Sequence, residues 1–142
     1  MAGTVADALA SAGVGSGPVA VLGSIRLSRA LATRGHEVVH LGAKPQKRIG
    51  AVARQLQATP DALPLPDRDV AALVVIGADA HAAWDRAMAE WQRVVAEGGA
   101  LVLIARASPM EGTQRALCGQ LADIEQRRSG RRVVTSGRVS SP

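Results

Sequence analysis

The residues that could hold a ligand are concentrated in residues 17–42, which read GPVAVLGSIRLSRALATRGHEVVHLG. Two short apolar runs, each followed by a glycine, flank a segment with helical spacing. This order predicts a β-α-β unit, the opening of a doubly wound α/β domain. The turn after the first strand of such a unit is where these domains hold a nucleotide-like ligand.

Histidine and cysteine offer weaker candidates for chemistry. His36 and His40 are predicted in a turn and a strand, so they would not share a helix face as paired metal ligands do. His81 follows Asp79 and could act as a general base, although a position at a helix start explains it more simply. Cys118 falls in a predicted helix without a sign of activation. We therefore predict no catalytic residue and no metal site.

Two groups of basic residues could bind a phosphate, an acidic protein or a nucleic-acid backbone. They are Lys44, Lys47 and Arg48, and Arg127, Arg128, Arg131 and Arg132. The first group is predicted near a helix N-terminus, which favours anions. Neither group has aromatic neighbours, so sequence-specific reading of bases is not indicated. Solvated helix ends are the alternative interpretation.

Composition limits the class of protein. The 142 residues suit one compact domain, with 47% hydrophobic residues, no Phe, no Tyr and one cysteine. A single cysteine excludes an internal disulfide, and we expect a cytoplasmic protein. No apolar run is long enough to cross a membrane, and we expect no membrane association. We assign residues 1–17 to an N-terminal helix and lead-in, and residues 18–140 to a single α/β domain.

Alternating strands and helices predict a mostly parallel sheet covered on both faces. The predicted strands are Val19–Leu22, Glu37–Leu41, Val70–Ile76, Ala100–Ala105 and Arg132–Val139. The last segment could instead form a very short hairpin around Ser136-Gly137, and Ala62–Leu65 could form a brief extended edge. Ser24 should cap the first helix of the sheet region and Gly35 should end it. A second helix is predicted from Pro45, because Ile49, Val52, Ala53 and Leu56 have helical spacing. A third helix is predicted from Trp84 to Gly98, and a last one on Leu117, Leu121 and Ile124.

Several segments together resemble the small-molecule type of class I S-adenosylmethionine-dependent methyltransferases, over residues 17–107. They are VAVLG, LSRALATRGHEVVHLG, AKPQ, DALPLPDRDVAALVVIGA and AMAEWQRVVAEGGALVLIA, in the family's order. The resemblance implies a three-layer, doubly wound, Rossmann-like methyltransferase fold. It also implies cofactor-contact positions, which would be Gly23, Ser24, Gly42, Ala43, Asp61, Ala62 and Gly77.

The sequence departs from the family at the residues that contact the cofactor. The strand Val19–Leu22 lacks the family's acid, and the following turn has one glycine where the family has two or three. Ile25 or Arg26 would occupy space that the methionine moiety needs. Gly42 stands where the family has the acid that binds both ribose hydroxyls, a loss of roughly 1.5–3 kcal/mol for each hydrogen bond. Asp61 matches the residue that meets the adenine amino group, or is a plain loop aspartate.

The chain also ends soon after residues 132–139, so we predict that the C-terminal strands are reduced. A truncated sheet leaves an open edge that a second copy could cover, which predicts a homodimer. Our first hypothesis is a catalytically inactive methyltransferase-like scaffold (a pseudoenzyme) without a cofactor, which self-associates and binds protein partners. The alternatives are a functional methyltransferase that binds S-adenosylmethionine through an atypical loop, and a basic protein associated with nucleic acid.

Overall fold

A computed structural model describes residues 1–15, 17–77, 84–106 and 119–140. In chain order the elements are α1 (Ala2–Ser11), β1 (Val19–Leu22), α2 (Ile25–Thr33), β2 (Val38–Gly42), β3 (Arg54–Gln57), β4 (Val70–Ile76), α3 (Trp84–Val94), β5 (Val95–Ala105), β6 (Ala122–Ser129) and β7 (Arg132–Arg138). Within the described residues, none of the helices has the length and apolar character needed to span a membrane.

The described strands form one sheet in the order β3-β2-β1-β4-β5-β7-β6. The pairs from β3 to β5 are parallel, and β7 is antiparallel to both β5 and β6. Two apolar clusters cover opposite faces. One includes α1 and α2, and the other includes α3 and the loop before β4. The predicted three-layer, mostly parallel α/β architecture is confirmed.

The unit β1-α2-β2 forms as its sequence predicts. β1 and β4 are continuous apolar runs, and β1 lies between β2 and β4, as buried parallel strands do. The hydroxyl oxygen of Ser24 accepts a hydrogen bond from the backbone N–H of Leu27 at 3.2 Å and caps α2. Gly35, with a φ of 99°, follows the end of the helix. The predicted helix cap and the predicted stop are both confirmed.

The predicted helix from Pro45 is wrong. Residues 43–53 form an irregular loop, and residues 54–57 form the edge strand β3. The extended conformation follows from parallel pairing of these residues with β2. The side-chain amide of Gln55 also holds the loop, because it accepts from the backbone N–H of Gln46 and donates to the carbonyl of Gln46, both at 2.8 Å. Val52 and Leu56 still pack on the apolar clusters, but on opposite faces of the sheet. The spacing of these apolar residues reflects their burial in a loop and a strand, and not a helix.

The predicted last helix is also wrong within the described residues. Ala122–Ser129 is a strand that pairs with β7 through a turn at Gly130, where φ is 60°. Leu121 is buried against Gly137 of β7, and Leu117 lies outside the described residues. Two antiparallel strands, β6 and β7, therefore end the sheet, and the prediction that the C-terminal strands are reduced is wrong.

The third predicted helix ends earlier than its sequence suggests. α3 stops at Val94 and β5 begins at Val95, so the two glycines predicted as its terminus lie inside the strand. A Cβ on Gly99 would lie 2.5 Å from the carbonyl oxygen of Ala71. Gly99 therefore allows β4 and β5 to approach closely where their pairing is irregular, and it does not end a helix.

Candidate functional site

A cleft of about 420 Å³ opens where β1, β2 and β4 end. Leu22, Gly42 and Ile76, the last residues of these strands, all line it. In the sheet, β2 lies on one side of β1 and β4 lies on the other, so the strand order reverses direction at β1. Open α/β sheets bind ligands at this kind of switch point, beyond the carboxyl ends of the strands. The volume lies in the range of small-molecule sites.

The turn after β1 forms one wall of the cleft. Gly23 has a φ of 106°, and its N–H donates to the carbonyl oxygen of Leu41 at 3.1 Å. A Cβ at this position would lie 3.3 Å from the carbonyl oxygen of Ile76. A glycine is thus required by both conformation and close approach. Ile25 follows and lines the cleft, as predicted, whereas Arg26 does not and is exposed.

His40 forms the floor of the cleft beside Gly42. It is 3% exposed, and a Cβ on Gly42 would lie 3.0 Å from its Nε2. The space that a side chain at residue 42 would enter is therefore occupied by the imidazole of His40. The imidazole of His40 therefore leaves no room for a carboxylate side chain at residue 42.

The hydrogen-bonding partners of Ser28 favour one tautomer of His40. The single hydroxyl hydrogen of Ser28 is donated to the carbonyl oxygen of Ser24 at 3.0 Å. Both contacts are hydrogen bonds at the same time only if the ring carries its hydrogen on Nδ1 and donates it to Ser28 Oγ across 2.8 Å, and we assign this tautomer. Burial lowers the pKa of His40 below its usual 6.5, so the ring is neutral at pH 7. Nε2 is then a bare acceptor beside Gly42.

The opposite wall is a loop that α3 holds in place. Ala58 and Pro60 line the cleft, and the carbonyl oxygen of Pro60 accepts a 2.8 Å hydrogen bond from Trp91 Nε1. Arg93 donates to the carbonyl oxygens of Leu63 at 3.1 Å and Leu65 at 2.9 Å. The loop is therefore fixed by side chains of α3 and not by regular backbone pairing.

Glu90 and Arg93 form the polar centre of this attachment. Arg93 donates to both carboxylate oxygens of Glu90, at 2.6 and 3.0 Å, and to Asp67 at 2.8 Å. Glu90 in turn accepts from the backbone N–H of Leu63 at 2.7 Å. The hydrogen bond from Arg93 is the main reason that the pKa of Glu90 lies below its usual value. The hydrogen bonds with Glu90 and Asp67 raise the pKa of Arg93.

The predicted cofactor positions divide into two sets. Gly23, Gly42 and Ala43 line the cleft. Ser24 instead caps α2, and Gly77 donates its N–H to Ile104 at 2.9 Å. Asp61 and Ala62 lie in the loop beyond Pro60 and do not line the cleft.

Asp61 is engaged elsewhere. It accepts from the hydroxyl of Thr59 at 3.2 Å and lies 3.7 Å from Arg86. Among the lining residues that the structure describes, none is a carboxylate and Lys44 carries the only full charge.

The predicted basic groups are dispersed. Lys44 lines the cleft, whereas Lys47 and Arg48 are exposed in the loop before β3, where no helix begins. Arg127 donates to Ser11 Oγ at 2.7 Å and to Glu125 at 3.1 Å, so it joins β6 to α1. Arg128 follows it in the strand and lies on the other face, because side chains alternate along a strand.

The remaining two members of the second group, Arg131 and Arg132, lie at the turn into β7 and at its first residue. The four arginines therefore do not form one surface. Asp79, His81 and Cys118 lie outside the described residues. Within the described part of the chain, no three His, Cys, Asp or Glu side chains are grouped to hold a metal ion.

Sequence reasoning missed His40 as a cleft residue. The signal was a polar residue inside an apolar run predicted to be a buried strand. Such a group needs a hydrogen-bond partner, and a second buried polar residue, Ser28, was available in the adjacent helix.

No family model matches the sequence, and no curated protein matches it. Solved structures match in fold. Burkholderia thailandensis 1,6-didemethyltoxoflavin-N1-methyltransferase, with bound 1,6-didemethyltoxoflavin and S-adenosylhomocysteine, is 14% identical with a TM-score of 0.79; the match covers 99% of this chain and 77% of that one. A chain in the complex between the Haloferax volcanii Trm112 methyltransferase activator and a protein assigned as a methyltransferase is 16% identical with a TM-score of 0.78, covering 98% and 89%.

A third structure, of a protein from Methanococcus maripaludis assigned as an S-adenosyl-L-methionine-dependent methyltransferase, is 15% identical with a TM-score of 0.74 and covers 99% and 84%. These likenesses concern the fold. The chain has the fold of class I S-adenosylmethionine-dependent methyltransferases over nearly its whole length, which agrees with the resemblance of residues 17–107.

Proposed function

We propose that this chain, which has the methyltransferase fold, is catalytically inactive and acts by binding protein partners. The observation that carries the proposal is the side-chain chemistry of the cleft. Its described lining offers one lysine, one neutral histidine, one glutamine and otherwise apolar side chains or glycine, without a carboxylate. The cationic amino group and the ribose hydroxyls of S-adenosylmethionine would lack charged acceptors there.

The magnitude of the loss supports this proposal. Each hydrogen bond to a charged group contributes about 1.5–3 kcal/mol, so two missing bonds to one carboxylate weaken binding by at least about a hundredfold. Asp61 does not compensate, because Thr59 and Arg86 already engage it. Ile25 further narrows the space beside Gly23.

The direct test is calorimetric titration with S-adenosylmethionine and S-adenosylhomocysteine. We expect no saturable binding below millimolar concentration. As a control for folding, thermal unfolding should be cooperative in the same sample. Micromolar binding of either compound would contradict the proposal and favour the second candidate below.

The second candidate is a functional methyltransferase with an atypical cofactor turn. It is favoured by one observation, namely that the cleft at the switch point is open with about 420 Å³ and not filled by side chains. Methyl transfer from radiolabelled S-adenosylmethionine to an acceptor would establish it. The acceptor would have to be found by screening, whereas the calorimetric test needs only the cofactor.

For the mode of action we propose pairing at the exposed edge strand β3. This strand has a described neighbour on one side, β2, and its four residues are partly or fully exposed. An unpaired edge can accept a strand from a second copy or from another protein. Light scattering over a dilution series tests the homodimer: a mass of 29 kDa, twice the 14.6 kDa of the chain, is expected. A constant monomer mass would leave only a different protein as the partner. We further propose that the protein acts in the cytoplasm.

A further inference from the structure

We propose that the cleft binds a ribonucleoside phosphate, with His40 Nε2 accepting from a ribose hydroxyl and Lys44 pairing with the phosphate. This ligand differs from the sulfonium cofactor. The proposal does not depend on whether the chain is an enzyme. The proposal stands on three separate features of the described residues, namely an open cleft, a buried histidine that lines it and an exposed lysine that also lines it.

The buried histidine is the strongest of these features. His40 is 3% exposed and lines the cleft, and its Nδ1–H is used by Ser28, whose own hydrogen is used by Ser24. Within the described residues, Nε2 has no hydrogen-bond partner. A buried polar atom without a partner costs free energy and is rare in folded proteins, so a ligand donor at this point would relieve that cost.

The donor that Nε2 can accept is a hydroxyl or an N–H. In the tautomer with hydrogen on Nδ1, from which Ser28 Oγ accepts, Nε2 of the neutral ring presents a lone pair and no hydrogen. A carboxylate or phosphate oxygen could not satisfy it. A sugar hydroxyl fits this requirement, and its place beside Gly42, at the end of β2, is where doubly wound folds hold the ribose of a nucleotide.

The charge of Lys44 favours an anionic ligand. Lys44 lines the cleft two residues after Gly42, and the described lining contains no opposing carboxylate. Doubly wound folds accept an uncharged ribose when an acid follows the second strand, and a ribose phosphate when a basic residue lies nearby. The sequence Gly42-Ala43-Lys44 matches the second case. Gln46, also in the lining, is held through its backbone by Gln55 and adds an amide to the same cleft.

The first experiment compares ligands by calorimetry on the full chain. The probes are adenosine 2′-monophosphate, adenosine and inorganic phosphate. We expect adenosine 2′-monophosphate to bind at least about tenfold more tightly than adenosine, since one new charge-assisted contact is made. Lys44→Ala should remove that difference, and Lys47→Ala, an exposed lysine of the same loop outside the cleft, should retain it. Equal affinity for the nucleotide and adenosine, absence of binding, or an equal effect of Lys47→Ala would overturn the proposal.

The second experiment needs no variant of the buried histidine. Long-range ¹H–¹⁵N spectra of the wild-type protein report the tautomer of His40. We expect hydrogen on Nδ1, and a shift of the Nε2 resonance when adenosine 2′-monophosphate is added. Hydrogen on Nε2, or no shift at saturating nucleotide, would refute the role of His40. Failure here leaves the proposed lack of methyl transfer intact, whereas binding of S-adenosylhomocysteine would refute that proposal and not this one.

Discussion

Trp91 Nε1 donates a hydrogen bond of 2.8 Å to the carbonyl oxygen of Pro60, 31 positions earlier in the chain. The indole is fully buried, and Pro60 lines the cleft at the ends of the strands. One side chain of α3 therefore belongs to the core and at the same time positions the wall of the candidate site. The shape of the cleft is consequently coupled to the stability of the domain.

Replacing Trp91 should reveal this coupling. We expect Trp91→Phe to lower the free energy of unfolding by about 1–3 kcal/mol, because the carbonyl oxygen of Pro60 loses its partner. Met88→Leu, a swap of similar volume on the same helix, is the control and should cost less than about 1.5 kcal/mol. Urea unfolding measures both. A tryptophan variant as stable as the methionine variant would show that the hydrogen bond contributes nothing.

Glu90 should make the protein sensitive to acid. Its pKa is lower in the folded state than in the unfolded chain, so its stabilising effect is complete above the usual value of 4.5 and is lost as pH falls through the folded-state pKa. Melting temperature should therefore drop less steeply with acid in Glu90→Gln than in the wild type. Glu97→Gln, an exposed residue 3.8 Å from Arg68, should retain the wild-type pH profile. Identical profiles for wild type and Glu90→Gln would contradict the assignment.

His40 should add a second, milder pH dependence. Its pKa is lowered by burial, so the unfolded chain binds a proton more readily than the folded one. Stability should be at its full value above pH 6.5 and should decline as pH falls below 6.5 towards the lowered pKa. The hydroxyl of Ser28 contacts the ring, and Lys44 is the charged residue among the described residues that line the same cleft.

The measurement is the melting temperature between pH 5 and pH 8, for wild type and His40→Phe. The slope below pH 6.5 should be reduced in the variant, whereas His36→Gln, at the partly exposed turn before β2, should retain it. A wild-type slope in His40→Phe would show that another group is responsible.

Gly42 and His40 should be energetically coupled. A Cβ at residue 42 would lie 3.0 Å from Nε2, so Gly42→Ala should destabilise the protein while His40 is present. In the background His40→Ala the same change should cost less, giving a coupling energy of about 0.5–3 kcal/mol in a double-mutant cycle. If the two stability changes were additive, the side chain of His40 would not restrict the space at residue 42. Inserting the acid alone, as Gly42→Asp, should not restore sulfonium-cofactor binding for the same steric reason.

Arg127 and Arg128 offer a matched comparison on one strand. Arg127 connects β6 to α1 through Ser11 at 2.7 Å, whereas Arg128 lies on the opposite face and is exposed. We expect Arg127→Ala to speed amide hydrogen exchange in α1, and Arg128→Ala to leave it unchanged. Equal exchange rates in α1 for the two variants would argue that the helix is held by its apolar contacts alone.

Much of the fold could be predicted because its central strands are uninterrupted apolar runs and the turns carry specific residues. Val19–Leu22 and Val70–Ile76 require burial on both faces, and Ser24 and Gly35 mark the ends of a helix through local chemistry. The failures occurred where apolar residues were sparse. Residues 54–57 pair with β2, and Leu121 packs against Gly137 of β7, so contacts with other strands decided the conformation in both segments.

The site could be predicted only in part. Gly23 and Gly42 could be predicted as cleft residues from their places at the ends of the first two strands. The role of His40 could not, because it depends on a hydrogen bond to Ser28 across two elements and on the space left by a glycine. The attachment of the loop to Arg93 depends on contacts that are 26 to 30 residues apart.

The most direct test of the account is calorimetric titration of the wild-type chain with S-adenosylhomocysteine. A cleft lined by Lys44 and neutral His40, without a carboxylate among its described residues, predicts no saturable heat up to millimolar ligand. Stoichiometric binding with a micromolar dissociation constant would contradict it.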